Sequence, residues 1–336
     1  MTHAGPVQSR RGDPFPPYNL LDEGPSGTLD ESVLHAESKT RKLARLYHQT
    51  QAHAWNPNEV LDALVAQHGD IRLPEAIKEP LGRLFAVLLW GELAAWNVAA
   101  DLARWLPDID ARMAATGQVF DEARHFTVLR DYVRRAGIPM APLNPFGRRL
   151  LTRILDTPSL LAKLYGMQML VETLALGIFK GIGASRVEPV LTGLLEYVER
   201  DEARHVALGV LYVPMLFERA STVERAKTWA FQTEVFLLTV AGGQRLDADF
   251  RALGINHRGL AQNLLRLNEQ MAKQMRDEQD RSPGARQRRM PTLTLGQHRA
   301  LIDFLHPEDG TPLPSAHRFG LGALGMAINV AERILS

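Results

Sequence analysis

The 336-residue chain contains no cysteine. That excludes disulfides, a Cys-ligated iron–sulfur cluster and thiol catalysis. Any metal must be held by His and carboxylates, which suit harder ions. A charge excess is missing too: 39 Lys and Arg stand against 38 Asp and Glu, a net +1. Nothing in that balance calls for nucleic acid or an anionic membrane as partner. No dinucleotide fingerprint is visible, and no alternating run demands a strand. Met1 to Pro17 is polar and Pro-containing without an apolar signal core, so a cytoplasmic location is the expectation.

What is present is a repeated word. Asp121-Glu122-Ala123-Arg124-His125 returns later in the chain as Asp201-Glu202-Ala203-Arg204-His205. Another Glu precedes each of these Glu residues at the same separation, Glu92 before Glu122 and Glu172 before Glu202, within an apolar stretch. The match continues through Tyr132-Val133 and Tyr212-Val213. In a helix, positions i and i+3 share a face. Glu122 therefore points with His125, and Glu202 with His205. A Glu from each of two helices plus a Glu-x-x-His from each of two others is the ligand set of a four-helix di-iron or di-manganese site. Two divalent ions against four carboxylates leave that cluster neutral, which answers the cost of burying four charges. Asp121 is expected to orient His205, and Asp201 to orient His125, because a metal-bound His donates its second ring N–H to a carboxylate. Arg124 and Arg204 would pair with these acids or with solvent-side ones. Gln118 and Gln168, each one turn before a ligand Glu, could face the centre or be satisfied interior amides.

The organisation follows from the punctuation. Residues 1–28 read as a flexible arm rich in Pro and Gly, and 29–336 as one all-α domain with its metal-binding core over 81–217. Helices are expected over about 29–54, 81–106, 108–136, 148–156, 159–180, 187–217, 222–246, 258–280 and 319–335. Asp108 or Asp110 should cap the second core helix, Gly181 to Gly183 should loosen a turn, and Pro214 should kink or end its helix. Glu92 and Glu122 lie equally far either side of Pro107. At about 1.5 Å per residue, an antiparallel pair brings both side chains to one level. Leu84 to Ala103 is apolar enough to suggest a membrane span, but Glu92 and Asp101 interrupt it, and a buried helix fits better.

The doubled pattern, an upstream Glu followed by Asp-Glu-Ala-Arg-His, resembles the ferritin-like di-iron carboxylate superfamily, including arylamine N-oxygenases and the hydroxylase subunits of multicomponent monooxygenases. Trp55-Asn56-Pro57-Asn58-Glu59-Val60 is similar to a stretch of the radical-generating subunit of ribonucleotide reductase. The resemblance implies a ferritin-like four-helix bundle with extra helices at both ends. It implies Glu92, Glu122, His125, Glu172, Glu202 and His205 as ligands of two Fe ions, or of an Mn/Fe pair, and a connection from Trp55 through Asp201 to His125. Three departures shape the expected activity. Leu129 stands where the reductase has its radical Tyr, no Tyr follows Tyr212, and Val198 replaces the extra His of the N-oxygenases. The reading is an oxygen-activating oxidase or monooxygenase for a small organic substrate held beside Gly91, Ala95 and Ala175. Electrons would come from an external ferredoxin or reductase, and a homodimer is a compatible assembly. A ferroxidase of the ferritin type is the alternative, and an inert helical scaffold the least suited, since it leaves four buried Glu unexplained.

Overall fold

The computed structural model describes residues 38–280. The expected arm, the start of the first helix, the basic loop from Arg281 and the helix over 319–335 lie outside them. The described residues form helices without strands. They are α1 (Ser38–Ala52), α2 (Pro57–His68), α3 (Glu75–Trp105), α4 (Ile109–Arg135), α5 (Pro145–Asp156), α6 (Leu160–Leu164), a π-helical segment (Tyr165–Val171), α7 (Glu172–Ser185), α8 (Pro189–Arg219), α9 (Thr222–Arg245), α10 (Asp247–Ala252) and α11 (His257–Asp280).

The bundle is two antiparallel pairs. α3 packs along α4, and the run from α6 through α7 packs along α8. α1 and α2 lie against α4 and α8, α5 joins α3 to α9, and α11 covers α7 and α8. Two apolar cores result, one towards each end. Ala95, Ala115, Met169 and Val206 belong to the first; Leu88, Val128, Ile178 and Val198 to the second. Each of the four Glu residues sits between one member of each set, so the acidic layer separates the two cores. α3 and the run Leu160–Ser185 are long and apolar enough to cross a membrane. In each, 56% of the most apolar stretch is buried; Leu84, Phe85, Val98, Leu102 and Phe179 pack inside, while Trp90 and Trp96 are exposed.

Local chemistry explains most boundaries and corrects several. Pro107 stops α3, as expected. Asp108 occupies the N-cap position of α4, but its side chain caps nothing. It accepts from Tyr212 and from Arg219 Nη1 at 2.7 Å instead. α7 continues through Gly181 and Gly183 to Ser185 and ends on Arg186 in the left-handed region, φ 49°. Glu188 caps α8, accepting from Val190 N at 3.1 Å and Leu191 N at 2.8 Å, with Pro189 following at the first helical position. Glu188 also accepts from the Tyr132 hydroxyl at 3.1 Å, which places this buried acid in a structural role. Pro214 does not end α8, which runs on to Arg219. A proline removes one backbone bond, and Val213 and Phe217, buried in the core, carry the helix past it.

The close crossing of α3 by the chain after α4 depends on Gly82. A Cβ there would lie 2.0 Å from the Pro139 carbonyl oxygen. Gly82→Ala is therefore expected to lower stability by about 1–3 kcal/mol or more, the usual cost of forcing volume into a packed site. Urea unfolding monitored by far-UV circular dichroism measures it.

Candidate metal centre

The i, i+3 spacing sets the local geometry. α4 supplies Glu122 and His125, α8 supplies Glu202 and His205, α3 supplies Glu92, and Glu172 begins α7. All six are buried. Ligand atoms of Glu92, Glu122, His125 and Glu202 lie within 4.8 Å of one another, and so do those of Glu122, Glu172, Glu202 and His205. The two groups share Glu122 and Glu202. His125 Nδ1 stands 3.3 Å from Glu92, 3.8 Å from Glu122 and 3.1 Å from Glu202. His205 Nδ1 stands 3.1 Å from Glu122, 3.0 Å from Glu202 and 4.0 Å from Glu172.

The outer nitrogens turn the other way. His125 Nε2 is 3.3 Å from Asp201, and His205 Nε2 is 3.2 Å from Asp121, so each Asp reaches across the bundle to the other repeat's His. The two Arg residues are buried and bridge both acids. Arg124 Nη2 donates to Asp121 and, at 2.8 Å, to Asp201. Arg204 Nη2 donates to Asp121 at 2.9 Å and to Asp201 at 2.7 Å. Trp55 Nε1 donates to Asp201 at 2.7 Å, and its ring lies under the Arg124 guanidinium, 5.0 Å from ring centroid to Cζ. Thr50, on α1, donates to Asp121 at 3.4 Å. Nothing in the sequence singles out Thr50, because its role depends on how α1 docks.

Gln118 and Gln168 also enter the layer. Gln118 Nε2 donates to Glu122 and to Glu172, both at 2.9 Å, and Gln168 Nε2 donates to Gln118 Oε1 at 3.0 Å.

Electrostatics mark the cluster as strained by its own charge. Burial pushes Glu92 and Glu172 well above the usual carboxylate range, and the neighbouring acids add to it. Burial and Glu202 oppose the charge of Glu122, but the two His residues outweigh them and lower it to about 2. Burial likewise opposes the charged Glu202, which the His residues and a hydrogen bond from Glu172 bring well below its usual value. Burial also disfavours protonated His125 and His205, yet the surrounding carboxylates raise both well above the ordinary imidazole value. The residues fit a pair of cations on a direct observation. Glu92 Oε2, Glu122 Oε2, His125 Nδ1 and Glu202 Oε1 are buried and converge, but none has a hydrogen-bond partner. Oxygen and imidazole donors so placed suit Mn or Fe.

Protons held by these groups must leave when cations bind, because metal ligands act deprotonated. Loading with Mn(II) near pH 7 is therefore expected to release protons, and uptake to weaken as pH falls. Back-titration at constant pH during loading measures the release.

A cleft of about 30 Å³ between α3 and α7 is lined by Gly91, Glu92, Ala95, Val171, Glu172 and Ala175, among others. It has room for a diatomic gas or one or two waters, and is smaller than an organic substrate placed there would need. A larger cavity of about 430 Å³ lies between α3 and α5, lined by Trp90, Leu93, Asn97, Leu143, Arg148 and Leu151, among others. None of the acidic cluster lines it.

No family model matches the chain, and no curated relative does. Solved structures do. Two are variants of an R2-like ligand-binding oxidase with a reconstituted Mn/Fe cofactor. One, reconstituted anaerobically, has a TM-score of 0.57 at 18% identity, over 73% of this chain and 96% of that one. The other, reconstituted aerobically, has 0.56 at 19% identity, over 73% and 97%. The chain thus has the ferritin-like fold of a ribonucleotide-reductase small subunit, with a buried carboxylate–histidine cluster that fits a di-metal site.

Proposed function

We propose that this chain is an oxygen-activating di-metal oxidoreductase, an oxidase or monooxygenase. The observation that carries the proposal is the convergence of four carboxylates and two imidazoles in one buried layer, with four of their atoms lacking any other partner. Glu92, Glu122, His125 and Glu202 would hold one ion, and Glu122, Glu172, Glu202 and His205 the other. The ions would be Fe/Fe or Mn/Fe; the Mn/Fe cofactors of the similar structures support the second. When bound, such a pair supplies electrons to dioxygen.

The chain's own residues do the rest. Asp121 and Asp201 accept the Nε2–H of the His residues, which aims each Nδ1 lone pair into the cluster. Arg124 and Arg204 neutralise those acids, so that the layer can be buried. The two apolar cores keep bulk water away from the reacting region. Trp55, half-buried and bonded to Asp201, offers a route for electrons from an external ferredoxin or reductase towards His125. The cleft between α3 and α7 admits dioxygen. An organic substrate would need that cleft to widen, which keeps a ferroxidase as the second reading; iron taken up far beyond two ions per chain, in an assembly of many chains, would favour it.

The test is anaerobic loading with Fe(II), or with Mn(II) and Fe(II), followed by metal analysis and then exposure to O2. Two ions per chain and an O2-dependent near-UV change are expected; fewer than one ion per chain would sink the proposal. Ala175→Leu should leave the metal content at two and slow the O2-dependent change several-fold, as stopped-flow absorbance would show.

A further inference from the structure

The two repeats place residues in a common register, yet the two halves of the centre are not alike. Leu88 corresponds to Gln168, Val198 to Gln118, and Leu129 to Gly209. Around the Glu92–His125 half these positions are apolar, and Leu88, Val198 and Leu129 are all buried. Around the Glu172–His205 half the same positions hold two buried amides and a glycine.

The geometry of that second half is specific. Glu122 is held in its charged form and can only accept, so the amide nitrogen of Gln118 must face it, and the same nitrogen reaches Glu172. The Gln118 oxygen then faces Gln168, which must donate. That leaves Gln168 Oε1 buried without a partner, a price accepted for fixing the orientation of Gln118. Space for Gln168 comes from Gly209, where a Cβ would lie 2.8 Å from Gln168 Cβ and 2.8 Å from Met169 Sδ. Gln168 lies within the π-helical segment that ends at Val171, next to Glu172, whereas the matching stretch of α3 is regular α-helix. π-helical turns recur at functional sites.

The consequence reaches the acids. One amide group holds Glu172 against Glu122, while Glu92, the counterpart of Glu172, has no amide donor, and its Oε2 lies 3.3 Å from His125 Nδ1 without a hydrogen bond. Of the four unpartnered ligand atoms, Glu92 Oε2 and His125 Nδ1 belong to that half alone, and the other two, on the shared Glu122 and Glu202, are those residues' oxygens nearest His125 Nδ1. We propose that Gln118, oriented by Gln168 and given room by Gly209, is a positioning residue that makes the two halves unequal by fixing Glu172 against Glu122. It holds the Glu172–His205 half in shape for its ion and leaves Glu92 free to change its mode of contact. This rests on the di-metal reading above.

The experiment titrates Mn(II) anaerobically into the full chain, with calorimetry for the binding constants and electron paramagnetic resonance for coupling between ions. The wild type is expected to take two ions and give the spectrum of a coupled pair. Gln118→Met, close to isosteric, should weaken the constant of the Glu172–His205 half by about 10–100-fold, the usual effect of removing a partner of a metal ligand. The other constant should stay unchanged, and the spectrum at two equivalents should become that of isolated ions. Gly209→Ala, which leaves Gln118 intact, should give the same selective loss. Adding His125→Ala to Gln118→Met should abolish the remaining tight ion. Both constants unchanged, both weakened alike, or either constant tightened in Gln118→Met would overturn the assignment. A wild type that binds fewer than one ion would instead overturn the di-metal reading, and this assignment with it.

Discussion

Glu202→Gln is expected to reduce the metal content of anaerobically loaded protein from two ions per chain to fewer than one. Glu202 belongs to both ligand groups, so its loss removes a donor from each ion at once. It is also among the groups that raise His125 and His205, and the metal-free variant should be less stable near neutral pH because two buried imidazoliums lose a partner. Glu92→Gln separates the two effects. Burial raises Glu92 well above its usual range, so its charged form costs folding free energy. A raised carboxylate contributes most at low pH, and the contribution is lost as pH rises, because the unfolded state releases its proton first. Replacing Glu92 by the neutral amide should remove that pH-dependent penalty, so the metal-free protein should lose less stability between pH 6 and pH 8 than the wild type does, while one ion is lost. Metal analysis and thermal melts at pH 6 and pH 8 check both. A metal-free Glu92→Gln whose stability falls between pH 6 and pH 8 as much as the wild type's would show that Glu92 is not under this strain.

Asp201→Ala should be the most damaging change to the protein itself. Asp201 is fully buried and accepts from Arg124, Arg204, His125 and Trp55. Burial opposes its charge, but His125, Arg204 and Trp55 more than compensate and hold it well below the usual carboxylate range. Removing it leaves guanidinium groups short of a partner, and breaking a buried ion pair in this way costs about 3–5 kcal/mol. The same change releases the ring of His125, so affinity for the ion at Glu92 and His125 should fall about 10–100-fold. Urea unfolding measures the first effect and metal titration the second. Asp201→Ala combined with Arg204→Met should recover part of the lost stability, because it removes one of the stranded charges. A double variant that merely sums the two losses would show that the residues are not coupled.

The sequence alone determined the all-α character, the core pairing of helices and the six acidic and imidazole residues at the centre. All rest on local rules: Pro107 and Pro189 set helix ends, i and i+3 share a face, and equal spacing about a turn brings two helices' side chains to one level. The internal repeat added a second instance of each. The crossed contacts of Asp121 with His205 and Asp201 with His125 were also legible, because pseudo-symmetry leaves each Asp facing the other repeat.

Only the tertiary structure decided how the remaining residues are used. Asp108 reads as a helix cap, but Arg219, far along the chain at the end of α8, takes it up. Thr50 joins Asp121 through a helix whose docking no local pattern encodes. Gly181 and Gly183 read as a turn, yet α7 runs through them, with Ile255 packed 3.2 Å from where a Gly181 Cβ would lie. The two glutamines are ambiguous in sequence, since an amide can serve as an interior filler or as a partner of the ligands. Their fate depends on the missing Cβ of Gly209 and on a π-helical turn, both set by packing between helices distant in the chain. The repeated Asp-Glu-Ala-Arg-His stretch thus encodes a symmetric centre, and side-chain packing around it makes the two halves different.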